Sequence, residues 1–357
     1  MKATPGLRVL GTLVGAVLAA QVCVWWRTPI PWMLGPLLAT AVVSLLGAPT
    51  ASQLQLRNAG QWVIGTALGL YFTPQVGALV AGLWWAVVLG VLWALCLGAA
   101  FGAWLYRLHA PLFPNLSPQV MRATTYYAGS IGGASEMTLL AERAGARTDL
   151  VASAHSLRVL MVTVLVPFGM QFWGVTGLDA SGTALKAVHW GGLFGLLCLT
   201  ACGAWVMHKL GRANPWFMGA LLAAMVLTLS GQSWSALPAA LTNAAQLAIG
   251  ISLGVRFRPV FLRTAPSWLG SVALATVVMI VLCFGLAWGL SKATGLHLAT
   301  LVLGTAPGGI AEMAITAKVL ALGVPVVTAF QACRLVAVLL LAAPFFGWMQ
   351  RWRAARG

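Results

Sequence analysis

One six-residue pattern occurs twice in this chain, as GGASEM at residues 132–137 and as GGIAEM at residues 308–313. At the same spacing of 176 residues, Arg158 meets Arg334. Further matches follow in the same order at an offset near 185 residues. They pair PWMLG at 31–35 with PWFMG at 215–219, and Asn58, Gln61, Gly65, Gly69, Phe72 and Pro74 with Asn243, Gln246, Gly250, Gly254, Phe257 and Pro259. These collinear matches indicate an internal duplication, with repeats at residues 1–178 and 179–357.

The composition is that of a membrane protein. Of the 357 residues, 60% are apolar and 7% are charged, and the mean hydropathy is +0.91. Soluble domains carry roughly 25% charged residues. Apolar runs of about 18 residues or more predict membrane-spanning helices, and they include residues 9–26, 77–105, 188–207 and 267–290. The expected fold class is therefore an all-α polytopic membrane protein.

Each half contains five apolar segments and one Gly-Gly segment, and the Gly-Gly segment decides the architecture. If it crosses the membrane, each half has six spans and the repeats are parallel. If it is re-entrant or broken, each half has five spans and the repeats are inverted. The net charge of +16 helps to choose, because short cytoplasmic loops carry an excess of lysine and arginine.

Five spans per half, with a cytoplasmic N-terminus, place nearly all lysines and arginines of the loops on the cytoplasmic side. Only Arg27, Lys186, Lys292 and Lys318 fall on the other side. Six spans per half would divide the same residues almost evenly. We therefore predict about ten transmembrane helices plus two re-entrant or broken Gly-Gly segments, arranged as two inverted repeats with both termini in the cytoplasm.

The motif glutamates are the first candidates for a functional site. Glu136 and Glu312 are two of only five acidic residues, and each follows a Gly-Gly step inside apolar surroundings. A carboxylate near the bilayer centre costs about 2.5 to 3.5 kcal/mol on insertion scales, so it requires a partner or a water-filled site. Each Glu thus binds a substrate or ion, or it locks a hairpin by pairing with an arginine.

The Gly-Gly steps suit a broken helix, because glycine permits unusual backbone dihedrals and proline removes a hydrogen-bond donor. Backbone groups freed at membrane depth are tolerated where they line a cavity or are buried in protein. The predicted substrate-binding or ion-binding residues therefore belong to these two breaks. They are Gly132, Gly133, Ser135 and Glu136 in the first copy, and Pro307, Gly308, Gly309 and Glu312 in the second.

Two further pairs of polar residues support this site. Arg158 and Arg334 begin the last span of each half, and His155 and Gln331 precede them by three residues, on the same helical face. We expect Glu–Arg pairing within or between the halves. His155 can relay protons, or it has the same hydrogen-bonding role as its repeat partner Gln331.

Two pairs of amides lie on glycine-rich helices. Asn58 with Gln61, and Asn243 with Gln246, are three residues apart on faces shared with glycines four residues apart. Small residues at this spacing let helices pack closely, and amides can bridge neighbouring helices. Packing is the favoured interpretation, and substrate contact is the alternative.

A last span follows each copy of the motif, and its polar end reads HSLR at residues 155–158 and QACR at residues 331–334. Together with the doubled Gly-Gly-x-x-Glu-Met pattern, these residues make the sequence resemble the AbrB-type integral membrane family. The resemblance covers essentially the whole chain, because that family is itself a duplication of this module. The first copy departs from the commoner Pro-Gly-Gly form by carrying Ile131. Members are often labelled as ammonia monooxygenases or as membrane regulators of gene expression.

Three functions follow from these residues and this resemblance. The first is a secondary transporter of a small solute, with a midplane site between the repeats and a proton or sodium ion as the coupling ion. The second is a membrane regulator that acts through a signal or a partner. The third is a monooxygenase, which needs a metal or a flavin. The five histidines are far apart and show no ligand pattern, so we expect no enzyme, no metal site and no bound cofactor.

The expected location is the bacterial inner membrane, and the expected partners are the lipid bilayer and a small solute. Direct binding to nucleic acid is not expected, because no soluble helix-turn-helix fits the sequence. Self-association as a homo-oligomer is left open.

Overall fold

The protein was analysed as a computed structural model that describes residues 5–174, 187–212, 214–257 and 266–354. Lys186, Pro259 and the repeat boundary between residues 178 and 179 lie outside the described residues. Every regular element in the described ranges is helical. The helices are α1 Pro5–Trp25, α2 Pro31–Leu45, α3 Leu54–Gly69, α4 Pro74–Gly82, α5 Trp84–His109, a 3-10 turn Ala110–Leu112, α6 Pro118–Gly129, α7 Ala134–Arg143, α8 Thr148–Phe172, α9 Trp190–Lys209, α10 Pro215–Leu229, α11 Ala239–Gly254, α12 Pro266–Thr294, α13 Leu298–Thr305, α14 Ile310–Val319 and α15 Val324–Ala354.

Six helices of the described part are long and apolar enough to cross a membrane. Five lie within α1, α8, α9, α12 and α15, and the sixth comprises α5 with the 3-10 turn that follows it. The all-helical membrane fold class is thereby confirmed. Helices α2, α10 and α11 are apolar but shorter, and α3 with α4 forms a pair bent by 90°. The number of ten crossings and the inversion of the repeats therefore stay predictions.

Local sequence explains where several helices begin and end. Helices α2 and α10 both start at a Pro-Trp step, since proline is well suited to the first turn of a helix. The preceding residues, Ile30 and Asn214, share a left-handed backbone with φ of 42° and 47°. The run at residues 77–105, which the sequence predicts as one span, is divided at Leu83 into α4 and α5.

The chain forms two compact units, and each contains segments from both halves. The first unit comprises Met1–Gly82, Pro167–Phe261 and Ala314–Pro325. The second unit comprises Leu83–Val166, Leu262–Met313 and Val326–Gly357. The sequence repeats are thus not the compact units of the fold.

The helices of the first unit pair in a pattern that is repeated between the halves. Helix α2 packs against α1 and α11, and its counterpart α10 packs against α9 and α3. Helices α3 and α11, which are also counterparts, contact each other. In this unit, helices of one half therefore pack against helices of the other half.

Glycines allow these close contacts. Gly65 and Gly69 of α3 lie against α10, and Gly250 and Gly254 of α11 lie against α2. A Cβ atom at any of the four positions would come within 3.0 Å of atoms in the facing helix, closer than real Cβ contacts. The matching glycines of the two repeats thus have matching roles, namely close helix packing.

We expect Gly65→Leu and Gly250→Leu to destabilise the protein by about 1–3 kcal/mol, because a larger side chain in a closely packed contact forces the helices apart. Gly285→Leu in α12 is the matched control, since nothing lies within 4 Å of a Cβ at Gly285. Thermal melting of the purified variants in mild detergent measures the effect. If Gly65→Leu and Gly285→Leu have the same melting temperature, Gly65 has no such packing role.

In the second unit, α5 packs against α6 and α12, and α12 packs against α13. Gly98 and Gly102 of α5 lie against the backbone of Ser130 and Tyr126, so α6 approaches α5 closely. Thr305 at the end of α13 donates a hydrogen bond to the carbonyl oxygen of Cys283 in α12, at 3.2 Å. These contacts hold the ends of α6 and α13, where both copies of the motif begin.

Candidate functional site at two interrupted helices

Both copies of the motif form a helix, a short break and a second helix. In the first copy α6 ends at Gly129 and α7 begins at Ala134, and in the second α13 ends at Thr305 and α14 begins at Ile310. The first residue of each break has the same extended backbone, with φ −58° and ψ 136° at Ser130 and φ −52° and ψ 140° at Ala306. The break therefore has the same start whether Ile131 or Pro307 follows.

Each motif glutamate folds back over the second glycine of its own Gly-Gly step. Carboxylate oxygens of Glu136 and Glu312 occupy the space that a Cβ atom would need at Gly133 and Gly309. Both glutamates are the third residue of a helix, where a carboxylate can reach back toward the free N–H groups of the first turn. The positive end of the helix dipole favours a negative charge at this place.

The first glycine of each step has a different neighbour, the methionine that ends the motif. A Cβ at Gly132 would lie 2.8 Å from Cε of Met137, and one at Gly308 would lie 3.1 Å from Cε of Met313. Both methionine side chains are fully buried. Every fixed position of Gly-Gly-x-x-Glu-Met thus has a contact that explains it.

The two breaks also lie against the last helices of the opposite halves. A Cβ at Gly308 would come 2.9 Å from Cγ1 of Val162 in α8, and one at Gly133 would come 3.6 Å from Cδ1 of Leu335 in α15. All these residues belong to the second unit. The candidate site is therefore built from both halves of the chain.

The arginines are directed to backbone carbonyl groups. Arg334 donates from Nη1 to the carbonyl oxygen of Ala306 and from Nη2 to that of Gly308, both at 2.6 Å. Arg158 donates from Nη1 to the carbonyl oxygen of Gly129 at 3.5 Å, which is a much weaker contact. The Gly129 carbonyl ends α6, and those of Ala306 and Gly308 lie in the second break, where the helix leaves carbonyl groups unpaired.

Glu–Arg pairing, expected from the sequence, is not found for Glu136 among the described residues. The hydrogen bonds of Arg158 and Arg334 go to backbone carbonyls and to His155 or Gln331. The physical reason is that a broken helix exposes carbonyl oxygens at one half-helix end and N–H groups at the other. A cation and an anion can each be stabilised there separately.

His155 and Gln331 make equivalent hydrogen bonds, which explains why they replace each other between the repeats. Gln331 donates from Nε2 to the carbonyl oxygen of Leu303 at 2.8 Å and accepts from Arg334. His155 Nε2 lies 2.9 Å from the carbonyl oxygen of Tyr127, and its Nδ1 lies 2.7 Å from Nη2 of Arg158. Because arginine only donates, Nδ1 is the acceptor and the neutral imidazole carries its proton on Nε2.

We expect His155→Gln to melt close to the native protein and His155→Leu to melt at a clearly lower temperature. Leucine leaves the Tyr127 carbonyl and an Arg158 N–H without a partner, and each buried unpaired group costs about 1–3 kcal/mol. The reciprocal change Gln331→His is the matched control and should also be tolerated. If His155→Gln is as damaging as His155→Leu, the imidazole stabilises the protein through contacts that the amide does not replace.

The two copies differ in exposure. In the first copy Ser135 is exposed and Glu136 is half-buried. In the second copy Ala311, the counterpart of Ser135, is 6% exposed and Glu312 is 7% exposed. The two carboxylates are therefore equivalent in local geometry but differ in how far they are exposed.

The predicted amides do not belong to this cluster. Asn58, Gln61, Asn243 and Gln246 lie on α3 and α11 in the first unit. Helices α3 and α11 approach each other closely at Gly60, where a Cβ atom would come 2.8 Å from the carbonyl oxygen of Ala245. Other polar groups link helices in this unit. Trp62 Nε1 donates to Thr200 Oγ1 at 3.0 Å, and Thr228 Oγ1 donates to the carbonyl oxygen of Gly69 at 2.9 Å.

Sequence reasoning missed two parts of the site. It did not assign a role to Met137 and Met313, although methionine at the same position of both copies was a usable signal. It also did not identify the carbonyl groups of Tyr127, Leu303, Ala306 and Gly308 as the partners of His155, Gln331 and Arg334. Every residue has a backbone carbonyl, so the residue type does not show which carbonyl accepts a hydrogen bond.

Comparison with known proteins assigns the family. Residues 32–350 match the protein family described as Transition state regulatory protein AbrB. The chain is 26% identical over 346 residues to a Bacillus subtilis (strain 168) protein named "Uncharacterized protein YhjN", covering 89% of this chain and 86% of that protein. It is 28% identical over 319 residues to an Escherichia coli (strain K12) protein named "Putative regulator AbrB", covering 87% and 88%. The chain therefore belongs to the AbrB family of membrane proteins.

Proposed function

We propose that the protein is a secondary transporter of a small solute and that its binding site lies at the two interrupted helices. The observation that carries the proposal is the doubled placement of a carboxylate, Glu136 or Glu312, over the first turn of a half-helix in an apolar helical fold. Such carboxylates and freed backbone groups are tolerated at membrane depth where they line a cavity or an ion path. Half-helices at the interface of two repeats are a recurring way to build transporter sites.

The coupling ion in this proposal is a proton or a sodium ion held by the motif carboxylates. Alternating access makes two equivalent halves unequal in any one state. The half-buried Glu136 and the buried Glu312 agree with that expectation. The proposed arrangement has ten crossings in two inverted repeats, in the bacterial inner membrane, with both termini in the cytoplasm.

Reconstituted protein tests the proposal directly. Proteoliposomes are loaded with a panel of radiolabelled solutes, including organic acids, amino acids and sugars, under an imposed proton or sodium gradient. We expect gradient-dependent flux of at least one solute class by the native protein. Glu136→Gln and Glu312→Gln should lower that flux at least tenfold, because a carboxylate needed for ion binding is lost while its shape is kept.

Glu142→Gln is the matched control for these variants, because Glu142 lies on α7 but is exposed. It should transport like the native protein. Absence of flux across the panel, or flux that survives in both motif variants, would overturn the transporter proposal.

A second function rests on one observation, the word regulator in the name of the E. coli relative. A membrane regulator that signals through a partner would co-purify with a stoichiometric soluble protein and show no flux. Import or export of a signalling solute would instead join regulation to transport. The flux assay and the co-purification together separate these functions.

We also propose that the chain is not an enzyme. A monooxygenase of this size would contain a metal or a flavin, and elemental analysis with an absorption spectrum of the purified protein would detect either. We expect neither signal.

A further inference from the structure

A small cavity of about 150 Å³ lies in the second unit. Helices α5 and α6 and the C-terminal part of α15 line it. Its polar lining residues include Tyr106, Arg107, Arg122, Tyr126 and Gln350. None of the described residues that line it is acidic. The cavity therefore combines two arginines with aromatic and amide groups and has no carboxylate to neutralise them.

The two arginines lack an anionic partner in the part of the chain that is described. The ion pair found there joins Arg147 to Asp149 and involves neither Arg107 nor Arg122. The Arg122 guanidinium lies over the Tyr106 ring at 5.4 Å. Its Nε is buried without a hydrogen-bond partner, as are those of Arg8, Arg57, Arg158 and Arg334. A buried unpaired N–H group is costly, so an acceptor that enters the cavity would be bound favourably.

The chemistry of the lining selects one class of ligand. Guanidinium groups bind phosphate through paired, charge-assisted hydrogen bonds, and this geometry favours arginine over lysine. The excess of lysine and arginine predicts that Arg107 and Arg122 face the cytoplasm, where the leaflet is anionic. Basic pockets between transmembrane helices on that side commonly bind lipid headgroups.

We propose that this cavity binds an anionic phosphate group, supplied by a lipid headgroup or by phosphate in solution. Arg107 and Arg122 hold its oxygens, and Tyr106 orients the Arg122 guanidinium. Arg122 precedes the break at Ser130 by eight residues, which is about 12 Å along a helix. The described residues that line the cavity include neither motif glutamate, and the proposed site does not rest on the transporter proposal.

Melting of the full-length, delipidated protein in neutral detergent tests the proposal. Three probes are added at matched concentrations, namely short-chain phosphatidylglycerol, diacylglycerol of the same chain length, and inorganic phosphate. We expect phosphatidylglycerol to raise the melting temperature in a saturable way and diacylglycerol to have no comparable effect. If inorganic phosphate raises the melting temperature as phosphatidylglycerol does, the site binds free phosphate. If inorganic phosphate has no effect, the site binds the lipid headgroup.

The double variant Arg107→Gln with Arg122→Gln should bind the active probe at least tenfold more weakly. The matched control is Arg143→Gln with Arg212→Gln, which removes two exposed arginines from outside the cavity and should bind normally. Arg107→Gln alone changes only an exposed side chain and should fold even if the double variant does not. Native mass spectrometry then counts bound lipid on each variant. Equal stabilisation by diacylglycerol and phosphatidylglycerol, or unchanged binding by the arginine variants, would overturn the site.

Discussion

Arg334→Lys is expected to lower the melting temperature of the purified protein by about 3 °C or more, although it keeps the positive charge. Arg334 donates to the carbonyl oxygens of Ala306 and Gly308 and to the side chain of Gln331. A lysine ammonium is a compact point charge and does not reproduce this fork of donors. The Gly308 carbonyl and Gln331 Oε1 then lose their partner, at about 1–3 kcal/mol each, while the Ala306 carbonyl keeps a hydrogen bond from Gln331 Nε2 at 3.1 Å. In a chain of 357 residues each kcal/mol corresponds to roughly 1–2 °C.

Two further variants show whether carbonyl binding is the cause. Arg158→Lys should have a smaller effect, because the contact of Arg158 with the Gly129 carbonyl is 3.5 Å long. Arg351→Lys, an exposed change in the same helix as Arg334, should melt like the native protein. A native-like melting temperature for Arg334→Lys would mean that charge alone is needed, as in the Glu–Arg pair that the sequence suggests.

Cysteines placed before the two interrupted helices are expected to be labelled from opposite sides of the membrane. Asn115 is exposed in the segment before α6, between Arg107 and Arg122. Ala293 is exposed in the last turn of α12, next to Lys292 and shortly before α13. If the repeats are inverted, the first loop faces the cytoplasm and the second faces the outside. In intact cells, a membrane-impermeant maleimide should label Ala293→Cys fully and Asn115→Cys only after permeabilisation.

Glu142→Cys separates a re-entrant segment from a crossing one. It lies at the exposed end of α7, so it should share the side of Asn115→Cys if the interrupted helix turns back within the membrane. Labelling on the opposite side would show that the segment crosses, which favours twelve crossings and parallel repeats. The background must lack the six native cysteines, because four of them are exposed.

Much of the fold follows from local sequence. The apolar runs predict most of the long helices, and the Pro-Trp steps mark the starts of α2 and α10, because both signals act within one or two turns. The division of residues 77–105 at Leu83 was not predicted, since the run is apolar throughout. The exchange of helices between the halves was also not predictable, because contacts between α2 and α11 or between α3 and α10 join segments far apart in sequence.

The candidate site divides in the same way. The doubled motif identified Glu136 and Glu312, both glycines of each step, and the polar groups at residues 155, 158, 331 and 334. Arg158 and Arg334 were predicted to pair with glutamates, and the structure shows them donating to backbone carbonyls. Opposite charges suggest a pair, whereas the ends of broken helices provide partial charges that sequence does not display.

By itself the sequence determined that the chain is helical, apolar and duplicated, and that its few acidic residues include two at equivalent places. These properties depend on composition, short-range pattern and repeat spacing, all of which are present in the unfolded chain. Only the tertiary structure decided that Glu136 and Glu312 lie over Gly133 and Gly309, and that Arg334 binds the carbonyl groups of the break. These contacts depend on where a helix stops and which backbone groups it leaves unpaired, and that is known only once the helices are packed.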